Sequence, residues 1–575
     1  MGSVYIILNI LVLFSLVDLS IEQISLSLSV HCAQRREISP CTCQYQQLTN
    51  RSTKHISVSC ERMISFQQVI TALQNKFDNN VDISLKISHS ILDDLPQLSF
   101  QQLGLNIQQL KLHHDNLSAL PESVFSGLNR AELLGLSDNV ITAVPQQVLN
   151  LMPNIKILDL SRGNIANVTT ADFNGLHSMH TLLLGENKVT LLEMDSLPPT
   201  LAKLHIGFNQ IKSLNGTLRG LSYLQWLWLK GNCLATLDGE LPQINPNTKM
   251  LLLDAGNNLL TKLPSELKHY RSLEILLMDC NQITSFDGIL SRMKQLKTMN
   301  FTHNKISTLY ENDFTELEYL EDFHLGYNEI TSLNHSLLPL ISLRILNLTC
   351  NQIQEFSMQE LRGLTKLDRV DLSHNKINQL SGRMENMVEL ETRINELWLQ
   401  FNQIQTLNGA LMGISGLHTL NLSYNAIETI APDDLIGLDD LQILDISHNQ
   451  IVTLAETSKA ILPSLGELKA SHNLFSHLEK DFHGFPTLCW ADLSFNHIES
   501  INIGLVNYTQ CTVHGVNRTL RIYLQGNMEV CKLSETIVKI ESKNNTVLYP
   551  PSNEECTSYI AKQSQLLKLP SATIA

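Results

Sequence analysis

The sequence predicts an α/β solenoid, a horseshoe of about nineteen coils with a parallel sheet on its concave face and disulfide caps at both ends. Three observations predict it. A pattern of apolar residues closed by asparagine recurs every 22 to 27 residues, cysteines gather before and after that pattern, and motifs of catalysis are missing from it.

The chain opens on an uncharged apolar run from Val4 to Val17, long enough for the core of a secretory signal. The expected signal peptide is residues 1–25, with cleavage between residues 20 and 29. The lack of Lys or Arg ahead of the run leaves an uncleaved signal anchor as the alternative. Later in the chain no stretch approaches the roughly eighteen apolar residues of a spanning helix, so no membrane span is expected in the mature chain.

Next comes a cysteine cluster, Cys32, Cys41, Cys43 and Cys60, within an expected N-terminal cap of residues 30–80. A secretory route is oxidising, so two disulfides are the natural reading. The repeat region is expected over residues 81–530, from a degenerate copy at Leu85 and Ile87, through units beginning at Ile107 to Leu488, to a last one ending near Asn527. One unit reads Leu367-x-x-Val370-x-Leu372-x-x-Asn375-x-Ile377-x-x-Leu380. Apolar fourth and sixth positions around one outward residue mark a short strand with one buried face. The asparagine that follows, as at Asn209, Asn281, Asn328 or Asn449, carries an amide able to satisfy backbone groups where the chain turns inward. Second-half residues such as Phe125 with Leu128, and Phe314 with Leu317, fill the opposite side of the core. One coil cannot bury its apolar face alone, so neighbours must stack and the ends need caps. Residues 531–575 are expected to form a divergent C-terminal cap and tail, with one or two disulfides among Cys489, Cys511, Cys531 and Cys556. Cys233, Cys280 and Cys350 are expected as small buried or half-buried thiols, with an intermolecular bridge as the alternative.

This pattern resembles the typical class of animal extracellular leucine-rich-repeat proteins, the group of chaoptin, connectin, Slit, the Toll-type ectodomains and the acid-labile subunit. The resemblance covers residues 81–530 and implies a leucine-rich-repeat horseshoe. For the N-terminal cap it implies pairing of first cysteine with third and second with fourth, Cys32 with Cys43 and Cys41 with Cys60. It says little of function, because such proteins share a scaffold while their partners differ.

With 41 basic and 56 acidic residues the net charge is −15, which disfavours nucleic acid and other polyanions as partners. The sequence holds no Gly-x-Ser-x-Gly, His-Glu-x-x-His, phosphate-binding glycine loop or Cys-x-x-Cys pair, so neither an enzyme nor a metal or cofactor site is expected. Histidines recur just before the asparagine place of the coil at His114, His303, His374, His448 and His472, where solvated edge histidines are the expectation. Function is then sought on the outward third, fifth and seventh strand positions. Most are polar, including Asp159, His205, Asp371, Asp445 and Asp492. Coils five to nine differ: Leu183, Trp226, Trp228, Leu252, Ile275 and Leu277 point outward there, with Phe208 at the rim, as an expected ligand-binding window. Tyr327, Trp398, Phe401 and Tyr424 form a looser second set.

Eleven Asn-x-Ser/Thr sequons agree with secretion: Asn50, Asn116, Asn167, Asn215, Asn300, Asn334, Asn347, Asn421, Asn507, Asn517 and Asn544, of which only some are expected to carry sugar. Asn300, Asn347 and Asn421 fall on the fifth, concave position, where glycans would obstruct a flat partner. The resulting expectation is a secreted, extracellular or cell-surface-associated recognition or adhesion protein that binds a protein partner. An innate-immune pattern-recognition ectodomain and a self-associating matrix component, a homodimer included, are the alternatives.

Overall fold

The computed structural model describes residues 32, 36–46, 55–78, 80–382, 392–455, 459–513 and 515–566. The expected signal segment and the Asn50 sequon lie outside them. The chain falls into two compact units, residues 1–259 and 260–575.

In the first unit Thr42–Gln46 runs antiparallel to His55–Glu61. Every later pairing is parallel, through Asp82–Ser88, Asn106–His113, Leu133–Gly135, Ile157–Asp159, Thr181–Leu183, Lys203–His205, Trp226–Trp228 and Leu252–Asp254. In the second unit the parallel run proceeds from Ile275–Leu277 to Trp490–Asp492, then Leu520–Tyr523 and Thr546–Tyr549. Most strands are three residues long, and their central residue faces inward. Leu134, Leu182, Leu227, Phe323, Leu346 and Leu444 occupy that position and are fully buried. Each such side chain contributes about 1.5–3 kcal/mol by leaving water.

After each strand the eighth residue of the coil takes a left-handed backbone. His114, Asp138, Arg162, Glu186 and Phe208 do so in the first unit, as do His303, Tyr327, His374, Phe401, Tyr424, His448, His472 and Phe495 in the second. This conformation costs a non-glycine residue roughly 1 kcal/mol. It is offset by what it achieves, which is to turn the following asparagine amide into the core. Asn328 is representative: its Nδ2 donates to the Phe301 and Leu325 carbonyls at 2.9 and 3.0 Å, and its Oδ1 accepts from the Ile306 amide at 3.0 Å. One side chain thereby ties its own coil to the preceding one and satisfies backbone groups that no sheet ladder reaches. The first unit departs from the rule at Ser90, Asp115 and Gly163, which hold the asparagine place in their coils.

The return paths are short and run mostly in turns and 3-10 segments such as Glu122–Phe125, Ser265–His269 and Met358–Leu361, with a short α-helix at Gln146–Asn150. They bury Phe125 and Phe314, which the repeat assigned to that side, together with Phe173 and Leu435. The longer helices lie in the caps. Phe66–Leu73 is capped by Ser65, whose side chain accepts from the Gln68 amide, and Ser534–Glu541 and Asn553–Leu566 lie past the repeats.

The caps are covalent. Cys32 joins Cys43 and Cys41 joins Cys60, the pairing that the family resemblance implies, while Cys489–Cys511 and Cys531–Cys556 close the other end. Two details differ from the sequence reading. The sheet does not stop near Asn527, since Thr546–Tyr549 from the expected cap adds a further strand. Of the remaining cysteines, Cys233 and Cys350 are half-buried, but Cys280 is exposed: Cys280 and Cys350 both occupy the left-handed eighth position, whose side chain points out of the coil, and Cys350 has Thr349 Oγ1 3.8 Å from its Sγ.

Candidate binding surfaces

On the concave sheet of the first unit, Trp226 and Trp228 flank the buried Leu227 and lie against each other, with ring centroids 5.6 Å apart. His205 lies on the neighbouring strand, 5.9 Å from Trp228. Its imidazole fits only because position 185 is glycine: a Cβ there would fall 2.1 Å from His205 Cε1. Burial holds the His205 pKa below the usual histidine range, so it is a neutral packing residue and not a solvated one. Lys203 places Nζ 5.0 Å over the Trp226 ring, with Leu183 half-exposed on the next strand. Phe208 is 49% exposed at the edge, its ring over Gly231, where a Cβ would meet it at 2.7 Å.

The expected window is therefore smaller than the repeat register suggests. Leu183, Trp226, Phe208 and Ile275 offer surface, whereas Trp228, Leu252 and Leu277 are buried, at 8%, 5% and 3% exposure. In the first unit the cause is mutual cover. Trp226 stands in register with Leu252, and Trp228 is flanked by Trp226 and His205, so these large outward side chains shade one another. Ile275 and Leu277 belong to the second unit, in register with Thr298 and Asn300.

The concave face of the second unit is governed by short polar turns. The Asp371, Asp445 and Asp492 carboxylates each accept the amide of the residue two places on, at 2.9–3.0 Å. Asn300, Asn347 and Asn421 make the same turn with Oδ1, each at 3.0 Å. These three sequon asparagines thus do the structural work that aspartate does in neighbouring coils. Between the first two lies His324, which burial pushes down to about 4, so it is neutral over the physiological range. Trp398 is covered by Arg369, whose guanidinium sits 4.3 Å from its ring while also pairing with Glu396 at 2.7 Å.

The left-handed eighth positions form a surface that the repeat pattern alone did not disclose. His374, Phe401, Tyr424, His448, His472 and Phe495 stack face to face, with centroids 4.0–4.6 Å apart and planes within 21°. Gly526 ends the column, since a Cβ there would lie 2.5 Å from Phe495 Cδ1. His303 and Tyr327 make a shorter stack at 4.2 Å. The recurring histidines are consequently stacking partners rather than independently solvated groups. Desolvation and the adjacent His472 hold the His448 pKa below its usual value. In the first unit the same edge carries ion pairs, with Arg162 reaching Asp138 at 2.5 Å and Glu186 at 3.9 Å.

The leucine rich repeat family model matches residues 271–330, 318–377 and 392–451, all within the second unit. The chain carries leucine-rich repeats over these stretches. Mouse podocan is 27% identical to this leucine-rich-repeat chain over 280 residues, which are 44% of the chain and 41% of podocan. Chicken lumican is 31% identical over 180 residues, 30% of the chain and 51% of lumican. The chain thus spans about half the length, or less, of these two curated relatives. A solved leucine-rich-repeat domain of APL1B is similar over 49% of the chain and 78% of that domain, with 23% identity and a TM-score of 0.39.

The repeat frame also sorts the sequons. Nδ2, the atom that would carry a sugar, is committed to backbone carbonyls at Asn215, Asn334 and Asn544, at 3.0, 2.9 and 2.6 Å. Asn167, Asn507 and Asn517 are exposed. Among the described residues no group of three or more His, Cys, Asp or Glu side chains is placed to hold a metal ion, and no helix is long and apolar enough to cross a membrane.

Proposed function

We propose that this leucine-rich-repeat chain is an extracellular recognition protein that binds a protein partner on the concave face of its first unit, around Trp226. One observation carries the reading: Trp226 remains half-exposed on a sheet face while packed against Trp228, which in turn packs on His205, with Lys203 over its ring. A large aromatic ring whose rotamer is fixed before binding loses little entropy on association, and such rings dominate interface energetics. Lys203 over the ring and Leu183 beside it extend the contact, with Phe208 at the margin. Four disulfides and exposed sequons support an oxidising secretory setting. Glycans on Asn300, Asn347 and Asn421 would keep partners off the corresponding face of the second unit and favour the first.

The test is a screen of the full secreted chain against an array of extracellular proteins, run in parallel with Trp226→Ala. The expected result is a partner whose affinity falls by about 2 kcal/mol or more in the variant. Undiminished binding by Trp226→Ala removes the site. Sedimentation of the chain alone over a range of concentrations separates partner binding from self-association.

A further inference from the structure

We propose that Trp490, Arg521, Tyr523 and Tyr549, at the C-terminal end of the second unit's concave sheet, form a docking patch for a protein segment that presents one acidic side chain. The register puts Trp490 beside Arg521 and Tyr523 beside Tyr549 on adjacent strands. Trp490 and Tyr523 lie 5.4 Å apart, and Tyr523 stacks on Tyr549 at 4.6 Å with planes 10° apart. The result is a half-exposed aromatic floor with an exposed guanidinium at its side.

The state of Arg521 is what points to a ligand. The other two concave cations of the second unit are committed: Arg369 pairs with Glu396 at 2.7 Å and lies over Trp398, and Lys469 pairs with Glu467 at 3.2 Å. Arg521 makes no side-chain hydrogen bond or ion pair among the described residues. The nearby Asp492 carboxylate accepts from the Ser494 amide at 2.9 Å instead. A guanidinium left unpaired beside apolar rings is a strong receptor for a carboxylate, because its planar fork makes two charge-assisted bonds in a partly dry setting. Trp, Tyr and Arg together are also the residue types in which binding energy concentrates.

Charge decides between possible occupants. A polyanion needs several cations in a row to release its counterions. Here one unpaired cation stands near the carboxylates of Glu467 and Asp492, with Lys469 already held by Glu467, within a chain of net charge −15. A single carboxylate on an otherwise uncharged or apolar segment satisfies the arginine without meeting those acids.

The proposal is independent of the Trp226 site, and the experiment keeps the two apart. A random peptide display library is panned on the full secreted chain, and the selected peptides are measured against wild type, Arg521→Gln, Arg521→Lys, Tyr523→Ala and Trp226→Ala. Arg521 is exposed, so its replacement leaves the fold intact. Peptides sharing one Asp or Glu are expected, with about tenfold or greater weakening in Arg521→Gln and the same loss when that residue becomes Asn or Gln. The two changes together should cost no more than either alone, Arg521→Lys should restore only part, and Trp226→Ala should have no effect. Selected peptides without a common carboxylate, binding within about twofold of wild type in Arg521→Gln, or a pool containing no Arg521-dependent peptide would overturn it. Heparin binding lost in Arg521→Gln would overturn it too, by identifying a polyanion site.

Discussion

Replacing Asp115 with asparagine tests the amide ladder where the first unit breaks it. Asp115 Oδ1 accepts from the Ser90 amide at 2.8 Å, as an asparagine oxygen would, but Oδ2 is buried without a partner. Burial raises the carboxyl pKa from 3.8 to about 6, partly opposed by the Ser90 bond. By the repeat register an amide Nδ2 at this place would reach the Ile87 and Leu112 carbonyls, as Asn139 Nδ2 reaches Leu112 and Leu136 at 2.9 Å each. The rise in pKa corresponds to at most about 3 kcal/mol, which screening reduces to roughly 1–2 kcal/mol. The sign follows from linkage: with the folded-state pKa raised, the contribution of Asp115 is fully present below about pH 4 and is lost as the pH rises through about 6. Asp115→Asn removes the charge and so stabilises the first unit near pH 7.5, with a gain that fades by about pH 4. Thermal unfolding at both pH values, with hydrogen exchange at Ser90 and Leu117 as local reporters, measures it. Equal gains at the two pH values, or destabilisation near neutrality, would show that the buried carboxylate is not the source of strain.

The same ladder predicts that Asn449→Ala destabilises the second unit by about 1–3 kcal/mol. It orphans the Ile427 amide, whereas the Leu422 and Ile446 carbonyls keep donors from Asn425 and Asn473. A loss below about 0.5 kcal/mol in denaturant unfolding would contradict this. Gly231→Ala should cost about 1–3 kcal/mol, through a left-handed backbone and collision with the Phe208 ring; the double variant Phe208→Ala/Gly231→Ala should recover part of it, and no recovery would remove the ring from the argument. Mass spectrometry of secreted protein should find Asn215, Asn334 and Asn544 bare and Asn167, Asn507 and Asn517 modified; full occupancy at the first three would show that those Nδ2 bonds do not form.

The coil was readable because its signal is local. Leu-x-x-Leu-x-Leu-x-x-Asn places the strand, its buried centre and the inward amide within nine residues, and Asn328 and Asn449 do what that spacing required. The covered state of Trp228 and Leu252 was not readable, since alternation reports which way a side chain points and not how far its neighbours shade it. The ring column from His374 to Phe495 escaped for a related reason. Its members lie more than twenty residues apart and meet only once coils are stacked in register. Tyr523 and Tyr549 were hidden by a broken period: the Thr512–Val513 and Val516–Asn517 hairpin delays the next ladder asparagine to Asn527, and no asparagine marks the coil of Thr546–Tyr549.

The most direct test of the account is hydrogen exchange on the chain bound to a partner from the extracellular screen. The account predicts slowed exchange centred on Lys203–His205 and Trp226–Trp228 of the first unit, lost together with affinity in Trp226→Ala. Protection confined to the return side of the coils, with residues 203–228 exchanging as in the unbound protein, would contradict it.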